Sequence, residues 1–199
     1  MPDHYYSEHP QSKRITETIK TTLKGQSFTF TTSSGVFSRK GIDFGTKLLI
    51  ENFKPPQLQG DLLDLGCGFG PIGVSLAHFY QERNIVMVDI NERAVELAKL
   101  NVNENNITNA LVKQSDGFNK LSNNIFASII TNPPIRAGKK VIYNLFKKSK
   151  YHLLDGGELW LVIQKKQGAP SAITYLTANF TEVETIVRKK GYYVIRAKK

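Results

Sequence analysis

Residues 61–73 read Asp-Leu-Leu-Asp-Leu-Gly-Cys-Gly-Phe-Gly-Pro-Ile-Gly, or DLLDLGCGFGPIG. Asp61–Leu65 is a short, largely apolar run, of the kind that forms a strand buried on both faces. Gly66, Gly68 and Gly70 recur at alternate positions, where the chain can turn tightly and no Cβ keeps a ligand from the backbone. Pro71 is a suitable first residue of a helix. The stretch predicts strand, glycine loop and helix in succession, with amides at the helix start able to meet an anionic group.

The same rhythm continues downstream. Asn84–Asp89 (NIVMVD) reads as a second strand, and Asn91–Asn103 as an amphipathic helix with Ala94, Leu97, Ala98 and Val102 on one face. Ala110–Gln114 and Ile125–Thr131 are a third and a fourth strand. Lys139–Leu154 is helical, Gly156-Gly157 stops it, and Glu158–Ile163 follows as a strand. Ala169–Ala178 is a further helix. Glu182–Arg188 and Tyr192–Ala197 are joined only by Lys189-Lys190-Gly191, so they must pair antiparallel. Alternating β and α elements imply an α/β fold, a mostly parallel Rossmann-like sheet with helices on both faces, closed by a C-terminal antiparallel hairpin. A ligand belongs at the C-terminal strand ends, where the topology switches.

Residues 1–24 are polar, with Ile15, Ile19 and Leu23 suggesting a short helix in an N-terminal extension. Ser27–Phe37 reads as a hairpin about Ser33-Ser34-Gly35. Leu48–Phe53 is helical, and Lys54-Pro55-Pro56 ends it. The expected organisation is one domain over residues 25–199, with hairpin and helix (25–56) preceding a core (57–199). At 199 residues and 40% hydrophobic content this suits one globular unit. The formal charge of +10, from 27 Lys and Arg against 17 Asp and Glu, favours polyanionic partners. The single cysteine, Cys67, precludes an intramolecular disulfide and fits a reducing compartment. No signal-peptide pattern or membrane-length apolar run is present, so a cytoplasmic location without membrane partner is expected.

Acidic residues fall at successive strand ends. Asp64 sits just before the glycines, where it could hold a cationic amino group. Asp89 lies nineteen residues after Gly70 and could accept hydrogen bonds from both ribose hydroxyls. Asp116-Gly117 closes the third strand, where the acid could meet an adenine amino group. Gly68–Gly73 also satisfies the dinucleotide pattern G-x-G-x-x-G, which leaves a nicotinamide dehydrogenase open. Pro71 weakens that alternative by removing one amide from the place a pyrophosphate would use.

Thr131-Asn132-Pro133-Pro134 follows the fourth strand. Two prolines stiffen the turn and remove two donors. The Asn132 side-chain oxygen and the Pro133 carbonyl remain as acceptors. Together they can hold an aromatic amine and favour a tetrahedral nitrogen whose lone pair faces a methyl group. No metal or general base is required before such a transfer.

DLLDLGCGFGPIGVSLA, VDINERAVELAKLN, QSDGF and TNPPIRAGK together resemble the four consecutive motifs of class I methyltransferases of the "methyltransferase small" family. GVFSRKGIDFGTKLLIE is similar to the segment preceding them in bacterial small-subunit ribosomal RNA guanine-N2 methyltransferases. The resemblance covers roughly residues 25–199. It implies a seven-stranded sheet, S-adenosylmethionine as donor, and guanine N2 of 16S ribosomal RNA, or of the small ribosomal subunit, as acceptor. The implied cofactor-binding set is Asp64, Gly66, Cys67, Gly68, Gly70, Asp89, Ile90, Asp116, Gly117 and Asn132. The implied catalytic set is Asn132, Pro133 and Pro134, and the substrate-binding candidates are Ile135, Arg136, Arg39 and Lys139. Thr46 is a further candidate to approach cofactor or substrate.

The sequence departs from the family in two ways. Better-known members carry an aromatic after the prolines to stack on the flipped base, where this chain has Ile135. Phe37, Phe44 and Phe69 are the candidates to replace it. Some relatives also carry a duplicated N-terminal domain for RNA recognition, for which this sequence lacks the length. Grip on RNA is then expected from residues 1–40 and from Arg39-Lys40, Arg136, Lys139-Lys140, Lys147-Lys148, Lys165-Lys166 and Arg188-Lys189-Lys190. Adenine N6 or a protein glutamine as acceptor, and a non-catalytic RNA-binding module, remain as alternatives.

Overall fold

The computed structural model describes residues 14–38, 41–121 and 123–199. Nine strands and five helices are ordered β1 (Thr16–Leu23), β2 (Gln26–Ser33), α1 (Phe44–Asn52), β3 (Leu62–Leu65), α2 (Pro71–Phe79), β4 (Ile85–Asp89), α3 (Glu92–Glu104), β5 (Ala110–Gln114), β6 (Phe126–Thr131), α4 (Lys139–Tyr151), β7 (Leu153–Gln164), α5 (Ala169–Thr177), β8 (Glu182–Lys189) and β9 (Tyr192–Lys198) among these residues. Seven strands form one sheet in the order β5-β4-β3-β6-β7-β9-β8. All its neighbours are parallel except where β9 meets β7 and β8. This is the expected Rossmann-like fold. The order reverses between β3 and β6, so a crevice opens at their C-terminal ends.

Strand residues alternate between two cores. Leu62, Ile85, Met87, Ile130, Trp160 and Val194 face the side covered by α1, α2 and α3. Leu63, Val86, Ile129, Leu159, Leu161 and Ile195 face α4 and α5. The central strands are therefore apolar on both faces, as a covered parallel sheet requires.

Residues 16–23 differ from the expected helix: they are β1, paired antiparallel with β2. The spacing of four between Ile15, Ile19 and Leu23 is compatible with a helix face and with one face of a strand. The β-branched threonines at 16, 18, 21 and 22 favour the strand. Lys24 and Gly25 both take positive φ (47° and 80°), which suits a tight two-residue hairpin turn. The hairpin thus lies upstream of the expected Ser27–Phe37 one, and the boundary drawn at 24/25 falls within its turn. Helix α3 completes the free edge of β2. Asn101 accepts from the Thr31 N–H (2.7 Å) and donates to its carbonyl (2.8 Å), while Asn105 donates to the Thr29 carbonyl (2.8 Å). Two amides one helical turn apart act here as a short strand.

Gly156-Gly157 does not end an element. β7 begins at Leu153 and runs through both glycines, with a shift of register against β6. A Cβ at Gly157 would lie 2.8 Å from the Leu154 carbonyl oxygen, so glycine is required for the close backbone approach. Among the described residues no helix is long and apolar enough to cross a membrane, and no group of His, Cys, Asp and Glu is placed to hold a metal ion.

Candidate active site

The strand ends, residues 36–38 and residues 42–46 enclose a cleft of about 280 Å³. On one side it is built from main chain. Gly66 (φ 76°), Gly68 (φ 56°) and Gly70 (φ 98°) all adopt left-handed conformations that side chains disfavour. The Gly66 and Cys67 amides both donate to the Val88 carbonyl at 2.9 Å, fastening the loop to β4. Gly66, Cys67, Gly68, Asp89, Ile90, Asp116 and Gly117 all line the cleft. Gly70 does not line it; it is the left-handed residue before α2. Gly73 packs against Met87, whose Cγ would lie 2.5 Å from an added Cβ. The third glycine of the G-x-G-x-x-G spacing thus serves helix–strand packing.

Asp89 organises this side. Its Oδ2 accepts from the Gly68 amide at 2.8 Å and its Oδ1 from the Asn91 amide at 2.9 Å. A carboxylate has about four acceptor sites, so capacity remains for a ligand hydroxyl. Burial pushes its carboxyl above the ordinary range, against the N–H bonds from Asn91, Gly68 and Ile90. Asp64 is fully buried and lies behind the loop, away from the cleft wall. Its Oδ2 accepts from the Gly73 amide at 2.8 Å, whereas Oδ1 has no partner among the described residues. Burial raises its carboxyl to about 7, with the Gly73 bond opposing and the Asp89 charge adding to the rise. Cys67 is buried, and its thiol is pushed well above the ordinary range by burial and by the charges of Asp64 and Asp89. Asp116 is exposed at the rim.

The opposite side is built from side chains. Asn132 lines the cleft, and its amide nitrogen donates to Thr46 Oγ1 at 2.9 Å and to Asp43 Oδ2 at 3.4 Å. A carboxylate only accepts, so the nitrogen must face Asp43, and Oδ1 is the acceptor that Asn132 presents. Among the described residues this oxygen has no hydrogen-bond partner. Asp43 is itself fixed as the N-cap of α1, its Oδ1 accepting from the Gly45 and Thr46 amides at 2.9 and 3.1 Å. Thr46 is among the sequence-predicted candidates, whereas Asp43 is not. The cap position of Asp43 is legible before FGTKLL, but its contact with a residue 89 positions away is not.

Pro133 is buried, and its carbonyl already accepts the Ile135 N–H at 2.8 Å across Pro134, in a tight three-residue turn. One lone pair stays available. Pro134 lines the cleft, whereas Ile135 packs towards the α4–α5 core. Arg136 and Lys139 are exposed beside it, with the Lys139 ammonium 5.2 Å from the Tyr143 ring centre. Arg39 and Lys40 lie outside the described residues. Of the three aromatic candidates, Phe69 is buried, Phe44 is half-buried against Tyr192, and Phe37 is 41% exposed on the cleft wall.

Strand order and cleft together define a methyltransferase fold. The sequence profile of the methyltransferase small domain matches residues 27–196, and the chain belongs to that family. It is 56% identical over 200 residues to the "Uncharacterized protein YbxB" of Bacillus subtilis (strain 168), over the full length of both. It is 34% identical over 164 residues to "Ribosomal RNA small subunit methyltransferase C" of Shewanella sediminis (strain HAW-EB3), covering 80% of this chain and 46% of that protein. A solved structure, "T. Thermophilus 16S rRNA N2 G1207 methyltransferase (RsmC) in complex with AdoMet and Guanosine", superposes with a TM-score of 0.82 at 24% identity, over 96% of this chain and 52% of that one. The chain thus spans about half the length of these two proteins.

Proposed function

We propose that this protein transfers a methyl group from S-adenosylmethionine to an exocyclic amino nitrogen of ribosomal RNA, with guanine N2 of the small-subunit RNA as the acceptor. The observation that carries the proposal is the fixed amide of Asn132. Thr46 and Asp43 take its nitrogen, so that an acceptor oxygen stands at the end of β6 beside the glycine-loop cleft.

The residues fit the cofactor. A Cβ built on Gly66 or Gly68 meets nothing within 4 Å, so those positions leave open space where a ligand can lie against the backbone. Asp89 would hold the ribose hydroxyls, Asp116 the adenine edge, and the Gly66–Gly68 main chain the methionine part. Asp64 acts from behind, holding the start of α2 through Gly73. When bound, S-adenosylmethionine supplies a methyl group already activated by its sulfonium.

The acceptor amine is a weak nucleophile because its lone pair is delocalised into the ring. Asn132 Oδ1 accepts one N–H, and the free lone pair of the Pro133 carbonyl accepts the other. Two convergent acceptors draw the nitrogen towards tetrahedral geometry and stabilise the positive charge that develops on it. Asp43 and Thr46 contribute through orientation alone: a reversed Asn132 would present a donor to a donor. A base within a helix cannot reach the cleft and must be flipped out. The names of the Shewanella and Thermus relatives, and the charge of +10, support RNA as the acceptor.

The test uses S-adenosylmethionine labelled in its methyl group, offered naked 16S RNA, assembled small subunits and a protein release factor. Label in RNA, released by nuclease as N2-methylguanosine, is the expected result. Label in protein, or recovered as N6-methyladenosine, would overturn the acceptor assignment.

A further inference from the structure

We infer that Lys165, Lys166 and Lys190 form a phosphate-holding cleft that grips the RNA strand beside the flipped target nucleotide. The inference deepens the proposed function and rests on its choice of RNA as acceptor.

A second cavity, of about 540 Å³, lies at the C-terminal end of β7 and is lined by Gln164, Lys165, Lys166, Pro170, Lys190 and Gly191. Two elements build it. A 3₁₀ turn at Lys165–Gln167 follows β7, and the tight turn Lys190-Gly191 joins β8 to β9. The Lys165 amide donates to the Gly191 carbonyl at 2.8 Å, so the turns are locked together. The cavity opens at the same end of the sheet as the catalytic cleft and is joined to it by a short path. The Lys190 ammonium lies 5.0 Å from the centre of the Phe44 ring. Phe44 packs on Tyr192 at 5.5 Å. The residue before Phe44 is Asp43, which holds Asn132. A chain leaving the catalytic cleft across Phe44 therefore meets Lys190 first and then Lys165 and Lys166.

Charge along the terminal hairpin points the same way. At its far end Arg196 is neutralised by three carboxylates, those of Glu158, Glu182 and Glu184. At the near end Lys165, Lys166 and Lys190 have no ion pair among the described residues. Like charges gathered without counter-charge repel one another, and an anion relieves that repulsion. A phosphodiester of a strand opened for base flipping supplies the charge at this spot.

The test is fluorescence anisotropy with a short, labelled, single-stranded RNA of mixed sequence, titrated at several KCl concentrations. The Lys165→Ala/Lys166→Ala variant is compared with a Lys54→Ala/Lys198→Ala control of equal charge at the opposite end of the sheet. The first variant is expected to bind RNA about tenfold more weakly at low salt, with the log–log salt slope lowered by about 1.4 and the melting temperature unchanged. Lys190→Ala should lower the slope by about 0.7. Equal losses in test and control variants, no RNA binding by the native protein, or displacement of the RNA by poly-glutamate as readily as by unlabelled RNA would overturn the cleft. The readout is binding, so the two readings fail separately. If the lysines govern RNA binding while no RNA is methylated, the cleft stands and the acceptor assignment falls. If RNA is methylated but the lysine variant binds as the control does, the cleft alone falls.

Discussion

Around Gly66–Gly70 the cleft is held by main-chain amides, three left-handed glycines and one carboxylate that ties two loops together. Around Asn132 it is held by two side chains drawn from 86 and 89 residues away. The first half is part of the fold itself, so damage to it should move stability and cofactor affinity together. The second half sets the direction of a single amide, so damage to it should move turnover alone.

The largest expected effect breaks the second half. Asn132→Ala should lower methyl transfer by about 10³-fold, since it removes an acceptor aimed at the developing charge. Calorimetric S-adenosylmethionine affinity should stay within a few fold. Near-native turnover would remove the mechanism.

The next effect probes the fold beneath the glycine loop. Asp64 keeps its proton up to about pH 7 in the folded chain, against an ordinary value of 3.8. Between those values the folded state carries the extra proton. The contribution of this group is complete below the lower value and is lost as pH rises through the upper one. Asp64→Asn removes the titration. The stability difference between variant and native chain should shift in the variant's favour by up to about 3 kcal/mol from pH 5 to pH 8 in denaturant unfolding. A difference independent of pH would show that the carboxyl ionises normally.

Asp89→Asn turns one acceptor into a donor facing the Gly68 or Asn91 amide. It should weaken S-adenosylmethionine binding by about 1–3 kcal/mol and lower the melting temperature as well. Weaker binding with unchanged melting would separate the ribose role from the loop role. The smallest effect is at Thr46. Thr46→Val leaves only the longer contact from Asp43 on the Asn132 nitrogen, and should lower kcat about tenfold, equivalent to about 1.4 kcal/mol. Cofactor affinity should not change, and Thr46→Ser should restore turnover. A loss that serine does not rescue would reduce Thr46 to packing.

Legibility in the sequence follows the same division. The elements from β3 to β9 were readable because apolar runs, glycines and prolines act over a few residues. β1 was misread because a spacing of four satisfies both a helix and a strand. The extent of β7 was missed because Gly157 is needed by the neighbouring Phe126 and Ala127 backbone, which the local sequence does not reveal.

By itself the sequence determined the alternating α/β order, the tight glycine loop and the positions of Asp89 and Asn132 at strand ends, since each depends on local conformational preference. Tertiary structure alone decided that Asp64 lies behind the loop, that Ile135 turns to the core, and that Asp43 and Thr46 orient Asn132. Those outcomes depend on which distant side chains the sheet topology brings within hydrogen-bonding distance, and no short-range pattern encodes that.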